Sequence, residues 1–191
     1  MNYKSNSIED KFKIIISVGD ESGIGPEIIL KALFSKEIPH NLDFIIVGSK
    51  KNLENTYKNL KSLGIKNIVD PNNYQIHDIK IPFEINKQKK SYGNASFFYL
   101  KKAIEIVKKY TNAALVTGPI CKKSWSLAGH NYSGQTELLA ESCQVRDVGM
   151  LFTAKSPITG WRFNTLLATT HIPLCDVPTV SYTHLTLPTK A

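Results

Sequence analysis

The stretch "KIIISVGDESGIGPEI", Lys13 to Ile28, runs from an apolar β-branched segment directly into a loop rich in glycine and acid. The segment "KIIISV" is typical of a strand buried on both faces of a parallel sheet. Pro26 stands where the first turn of a helix tolerates its missing N–H, and Glu27 suits the positive end of the helix dipole. We therefore predict a rigid strand-to-helix elbow, in which Gly23 and Gly25 serve the shape of the backbone.

The same alternation of strand and helix continues along the chain. It predicts an α/β fold, with a mostly parallel sheet and flanking helices. Gly64 and Gly129 are expected to close two of the helices as C-terminal caps. Both tryptophans are predicted to be packing residues. The predicted strands are 13–18, 43–48, 113–119, 149–154 and 162–170, and the predicted helices are 26–36, 51–64, 94–110 and 122–129.

Three of these strands end in loops with polar and helix-starting residues, "SVGDESGIGP", "LVTGPICKK" and "LLATTHIPL". Ligands of parallel α/β sheets bind outside the carboxyl ends of the strands, so the three loops together predict a site. For any one loop, Gly and Pro that merely end a strand are the simpler interpretation. Asp20 either points into this site or ties its own loop by accepting backbone N–H bonds. The dinucleotide fingerprint is absent, because Ile28 occupies the position of its third glycine.

Composition excludes several classes of function. The net charge of +8 comes mostly from lysines scattered over every segment, with Arg146 and Arg162 as the arginines. No dense basic patch interleaves with aromatic residues, so nucleic-acid binding is not expected. A secretory signal and an apolar run of the ~20 residues that span a membrane are also missing from the sequence. Three widely spaced cysteines indicate reduced thiols and a cytoplasmic location.

Five ordered blocks, "GDESGIGPEI", "AALVTGPICKKSW", "AGHNYSGQTELLAE", "GMLF" and "LLATTHIPL", resemble the 4-hydroxythreonine-4-phosphate dehydrogenase (PdxA) family. The resemblance implies an isocitrate/isopropylmalate-dehydrogenase-like fold in a cytoplasmic homodimer, with two domains around a cleft. It implies NAD-dependent oxidation and decarboxylation of 4-phosphooxy-L-threonine to 3-amino-2-oxopropyl phosphate, a step of pyridoxal 5'-phosphate biosynthesis.

The resemblance also assigns roles to individual residues. His171 matches one of three histidines that hold a divalent metal, which is zinc, magnesium or cobalt. Gln135 and Thr136 match the pair that binds the phosphorylated substrate, although many members have histidine at the first of these positions. The alternative for this segment is that Ser133 and Thr136 cap the following helix. Cys121 replaces an asparagine common in the family, and a nucleophilic role would need a nearby base.

The last residues depart from the family pattern. Residues 1–178 are predicted to be the N-terminal portion of a two-domain dehydrogenase, and 179–191 a non-native tail. Its letters "VSYTHLTLPT" resemble a translated sequencing adapter, and a natural C-terminal strand is the alternative. The chain as written is therefore expected to lack dehydrogenase activity. Two other functions stay open: oxidation of threonate or erythronate 4-phosphate, and a non-catalytic binding domain.

Overall fold

The computed structural model describes residues 11–82, 87–146, 148–167, 169 and 173–180. The chain divides into two compact units, Met1–Ser142 and Cys143–Ala191. Among the described helices, none combines the length and the apolar character needed to cross a lipid bilayer.

The first unit is built around a four-stranded parallel sheet with the strand order β3-β2-β1-β4. Strands and helices alternate along the chain, which confirms the predicted α/β class. In chain order the elements are β1 (Phe12–Ser17), α1 (Gly25–Ala32), β2 (Leu42–Gly48), α2 (Lys50–Ser62), β3 (Gln75–Asp78), α3 (Gln88–Val107), β4 (Ala113–Thr117), α4 (Lys122–Leu127) and α5 (Gln135–Cys143).

The β-branched run of β1 explains its central place in the sheet. Ile15 pairs with Ile45 of β2 on one side and with Leu115 of β4 on the other. The side chains of Ile15 and Ile46 are fully buried and belong to one apolar core that includes Leu30 of α1. β1 is buried from Ile15 to Ser17, where both of its edges are hydrogen-bonded and both of its faces are covered, so apolar residues need not alternate there.

β3 is absent from the sequence prediction. Its sequence "QIHD" is short and polar, and most of its side chains are exposed because it lies at the edge of the sheet. Backbone pairing with β2, such as Ile46 with Ile76, forms it without a hydrophobic signal. The predicted caps are confirmed, since Gly64 and Gly129 follow α2 and α4 with φ of +79° and +90°.

The second unit contains an antiparallel hairpin, which differs from the parallel arrangement expected of the later strands. Its strands are β5 (Met150–Lys155) and β6 (Arg162–Leu167), and Met150 pairs with Leu167. A two-residue periodicity is the same for parallel and antiparallel strands, so the pattern could not separate them.

Trp161 lies directly before the second strand of this hairpin and is 64% exposed. Its predicted role as a packing residue is therefore wrong. The chain then forms α6 (Val177–Val180).

The elbow after β1 has the predicted strand-to-helix shape, but its glycines differ in importance. A Cβ on Gly25 would lie 2.3 Å from the carbonyl oxygen of Val18, so no larger residue fits. A Cβ on Gly23 would meet its nearest atom, Asp20 O, at an ordinary 3.5 Å. The expected role in backbone shape is therefore supported for Gly25 but not for Gly23.

Candidate active site

The loops that follow β1 and β4 touch through their backbones. Asp20 N–H donates to Pro119 O at 2.9 Å, and Gly118 N–H donates to Ser17 O at 2.7 Å. Since β1 leads to β2 on one side while β4 lies on the other, this is the switch point of the sheet, where parallel α/β folds bind ligands. Two of the three predicted loops therefore meet as expected. The loop after β6 follows a strand of a different sheet.

Asp20 ties its own loop together. The side chain is only 6% exposed, and Oδ1 accepts hydrogen bonds from the N–H of Ser22 at 2.9 Å and from its hydroxyl at 2.7 Å. Of the two roles that the sequence left open, pointing into the site or tying the loop, the structure supports the second.

Replacing Asp20 by alanine should therefore cost about 1–2 kcal/mol of folding free energy, because the backbone N–H and the hydroxyl of Ser22 both lose the carboxylate that accepts from them in the turn. Urea unfolding of Asp20→Ala measures this loss. Asp20→Asn retains Oδ1 and is the matched control, expected to lose less than half as much. Equal stability of Asp20→Ala and the wild type would contradict the structural role.

Gln135 is attached to the same switch point. It is the first residue of α5, and its Nε2 donates to Gly118 O at 3.1 Å. Gly118 O can only accept, so the amide nitrogen must face it and the amide oxygen is turned elsewhere. Thr136 follows in the first helical turn and is exposed. Because α5 begins at Gln135, neither Ser133 nor Thr136 stands at the capping position directly before the helix.

Charged side chains lie next to this pair. A Cβ built on Gly134 would be 3.6 Å from Cε and 3.8 Å from Nζ of Lys122, and 3.5 Å from Oε2 of Glu137. Oε2 of Glu137 is buried and has no hydrogen-bond partner among the described residues. The start of α5 thus offers an amide, a hydroxyl and a nearby ammonium group to a polar substrate, with the Glu137 carboxylate beside them.

The predicted metal ligand His171 lies outside the described residues. Within residues 11–82, 87–146, 148–167, 169 and 173–180, no three His, Cys, Asp or Glu side chains come together as a metal site would require.

The contacts of Cys121 and His130 are with neighbouring side chains of the fold and indicate structural roles. Hydrogen bonding to Ser124 lowers the pKa of the Cys121 thiol, but no described hydrogen bond joins the thiol to a histidine base. The His130 ring stacks on Phe97 with centroids 3.6 Å apart, and its Nε2 lies 2.9 Å from Oδ1 of Asn94. Burial and the neighbouring lysine of α3 lower the pKa of His130, which favours the neutral ring in this stack.

A second polar region, the strand-end cleft, opens at the carboxyl ends of β1, β2 and β3. Its volume is about 480 Å³, and Glu21, Asn52, Asp78 and Tyr99 line it. The hydroxyl of Tyr99 donates to the carboxylate of Glu21. Sequence analysis missed Glu21 because its partner is 78 positions away on α3, and no local pattern connects the two.

Burial raises the pKa of Glu21, and hydrogen bonds from Tyr99 and from the N–H of Ser49 oppose the shift only in part. The native carboxyl group then holds its proton more tightly than the unfolded one. Its stabilising contribution is present below the unfolded value of 4.5 and is lost as the pH rises through the native pKa.

Glu21→Gln cannot ionise, so its melting temperature should rise relative to the wild type as the pH increases from about 4.5 to about 7. Thermal melts at a series of pH values measure the difference. Glu37→Gln, the same substitution at an exposed position of the same unit, is the matched control. A constant difference for Glu21→Gln would contradict the raised pKa.

The chain resembles one protein family throughout most of its length. The sequence model described as "Pyridoxal phosphate biosynthetic protein PdxA" matches residues 40–186. A 4-hydroxythreonine-4-phosphate dehydrogenase of Nostoc sp. is 45% identical over 172 residues, which cover 86% of this chain and 48% of the relative. A Fusobacterium nucleatum protein, provisionally named a D-threonate 4-phosphate dehydrogenase, is 34% identical over 156 residues, covering 73% of this chain and 46% of that protein.

Solved structures agree with the fold. The crystal structure of a 4-hydroxythreonine-4-phosphate dehydrogenase from Klebsiella pneumoniae superposes with a TM-score of 0.65 at 26% sequence identity, covering 89% of this chain and 53% of that one. The chain spans about half the length of the curated relatives it matches.

Proposed function

Because the chain belongs to the PdxA family, we propose that it contributes the switch-point half of an active site that oxidises 4-phosphooxy-L-threonine with NAD. The secondary alcohol loses a hydride to NAD and a proton to solvent, and becomes a ketone. The resulting β-keto acid releases carbon dioxide, which leaves 3-amino-2-oxopropyl phosphate for pyridoxal 5'-phosphate biosynthesis. The reaction takes place in the cytoplasm.

The contact between Gln135 and Gly118 carries this proposal. It fixes the residue that matches the family's substrate pair against the carboxyl end of β4, where the loops of β1 and β4 meet. Gln135 and Thr136 then bind polar groups of the substrate, with Lys122 close enough to offset its negative charge. An amide side chain does not ionise near neutral pH, so Gln135 binds and orients the substrate rather than acting as an acid or base.

The remaining parts of the proposal rest on family membership. His171 is proposed as one ligand of a divalent metal (zinc, magnesium or cobalt). The complete enzyme is proposed to be a homodimer. A bound metal would supply stabilisation of the negative charge on the alcohol oxygen.

A chimera tests the proposal, since the relatives are about twice as long as the matched region. Residues 1–178 of this chain would be joined to the remaining half of the Nostoc relative and assayed for NADH formation from 4-phosphooxy-L-threonine. We expect activity, and we expect Gln135→Ala to raise KM about tenfold with little change in kcat, because binding is lost rather than chemistry. Gln75→Ala, on the exposed edge strand, is the control. A folded chimera that forms no NADH, or a Gln135→Ala chimera with unchanged KM, would contradict the assignment.

D-threonate 4-phosphate is the second candidate substrate, because the Fusobacterium relative carries that name. It has a hydroxyl group where 4-phosphooxy-L-threonine has an amine. The ratio of kcat/KM for the two compounds, measured on the same chimera, decides between them. Binding of either compound without turnover would favour the non-catalytic domain.

A further inference from the structure

The strand-end cleft is a second candidate binding site, separate from Gln135 and Thr136 in its lining residues. Its volume of about 480 Å³ falls in the range of small-molecule sites, roughly 300–1,000 Å³. It lies at the carboxyl edge of the sheet, and its polar lining comes from the loops after β1, β2 and β3, from the start of α2 and from α3. Ile79, Ile81 and Ala95 add apolar wall to these polar groups.

Two backbone donors at the start of α2 are already used within the protein. Asp78 Oδ1 accepts from the N–H of Lys50 at 2.9 Å, and Ser49 Oγ accepts from the N–H of Asn52 at 3.1 Å. These two N–H groups are therefore not open to an anion. The carboxyl groups of Asp78 and Glu21 in the same cleft oppose an anionic ligand further.

One acceptor of the cleft lacks a donor. Oδ1 of Asn52 is buried and has no hydrogen-bond partner among the described residues. Such an atom destabilises the folded state unless something donates to it. Asp78 has accepting capacity beyond its bond to Lys50, because a carboxylate offers about four lone-pair positions. The cleft thus presents acceptors to a ligand that carries O–H or N–H donors.

The charge of the lining favours a neutral ligand. Lys51 and Lys80 lie at the exposed margin of the cleft and oppose a cation, while Asp78 and Glu21 oppose an anion. We propose that the strand-end cleft binds a neutral pentose-type polyol, whose adjacent hydroxyl groups donate to Asn52 Oδ1 and to the carboxylates. The C–H face of the sugar ring packs on the apolar wall.

Binding of D-ribose to the full 191-residue chain tests this proposal, with ligand-observed NMR as the readout. We expect saturable binding of D-ribose. 2-Deoxy-D-ribose should bind about tenfold more weakly, because it lacks one donor of the diol. Adenosine is included because a nucleoside carries the same diol. If adenosine binds more tightly than D-ribose, the ligand of the cleft is a nucleoside. If the two bind equally, the ligand is a free pentose. Both results support the site.

Asn52→Leu provides the residue-level test, and Asn59→Leu on the exposed side of α2 is its control. Asn52→Leu should weaken ribose binding about tenfold while its melting temperature stays equal or rises, because an unpaired buried oxygen is removed. Asn59→Leu should leave ribose binding unchanged. Failure of both ribose and adenosine to bind overturns the proposal. Unchanged binding by Asn52→Leu, or a melting temperature well below that of Asn59→Leu, overturns it as well.

Discussion

Gly19→Ala is expected to destabilise the protein by about 3 kcal/mol or more, enough to threaten folding in a domain of ordinary stability. Gly19 has a φ of +78°, a conformation that costs an alanine about 1–2 kcal/mol. An added Cβ would also lie 2.3 Å from Pro119 O and 2.8 Å from the carbonyl carbon of Gly118. Both contacts are backbone atoms of the neighbouring loop, so the collision can be relieved only by separating the loops at the switch point.

Gly64→Ala is the matched control for this prediction. Gly64 has nearly the same φ, +79°, but a Cβ there would meet no atom within 4 Å. Its cost should be that of the backbone conformation alone, and the difference between the two variants measures the contact between the loops. Urea unfolding followed by circular dichroism provides both values. Equal losses for Gly19→Ala and Gly64→Ala would show that the loops do not press on each other.

Trp125→Ala is expected to cost about 3–5 kcal/mol, as deletions of buried aromatic side chains do. Trp125 is completely buried and lies edge-on to Phe97, with ring centroids 5.4 Å apart. Its Nε1 donates to Ser96 Oγ at 2.8 Å. The substitution therefore leaves a cavity between α3 and α4 and removes the donor to a buried hydroxyl.

Trp161→Ala serves as the control, because Trp161 is 64% exposed and its loss should change stability by no more than about 0.5 kcal/mol. Trp125→Phe retains most of the packing but not the N–H, and should lose about 1–2 kcal/mol. These values follow from urea unfolding of the three variants. A loss for Trp125→Ala as small as that for Trp161→Ala would contradict the described packing of α4 on α3.

The packing of α4 also bears on the candidate active site. α4 begins at Lys122, directly after the loop in which Gly118 and Pro119 contact the β1 loop. Trp125 holds this helix against α3. Partial loss of that anchor should therefore displace Lys122 before the sheet itself unfolds. In the chimera, Trp125→Phe is accordingly expected to raise KM for the phosphorylated substrate.

Sequence alone determined the features that depend on neighbouring residues. The apolar run of β1, the helix start near Pro26 and the caps at Gly64 and Gly129 follow from local backbone preferences, and the structure confirms them. The ordered motifs likewise identify the family, because their spacing is a property of the chain itself. These motifs also singled out Gln135, whose place beside Gly118 is a structural finding.

Tertiary structure alone decided which distant residues meet. The contact between the loops of β1 and β4 depends on the strand order β3-β2-β1-β4, which no local pattern specifies. The Glu21–Tyr99 hydrogen bond, the unpaired oxygen of Asn52 and the exposure of Trp161 depend on how helices and strands pack. Hydrophobic periodicity reports which face of an element is apolar, but not what covers that face. For that reason the strand-end cleft, which four separate segments build, was visible only once the chain had folded.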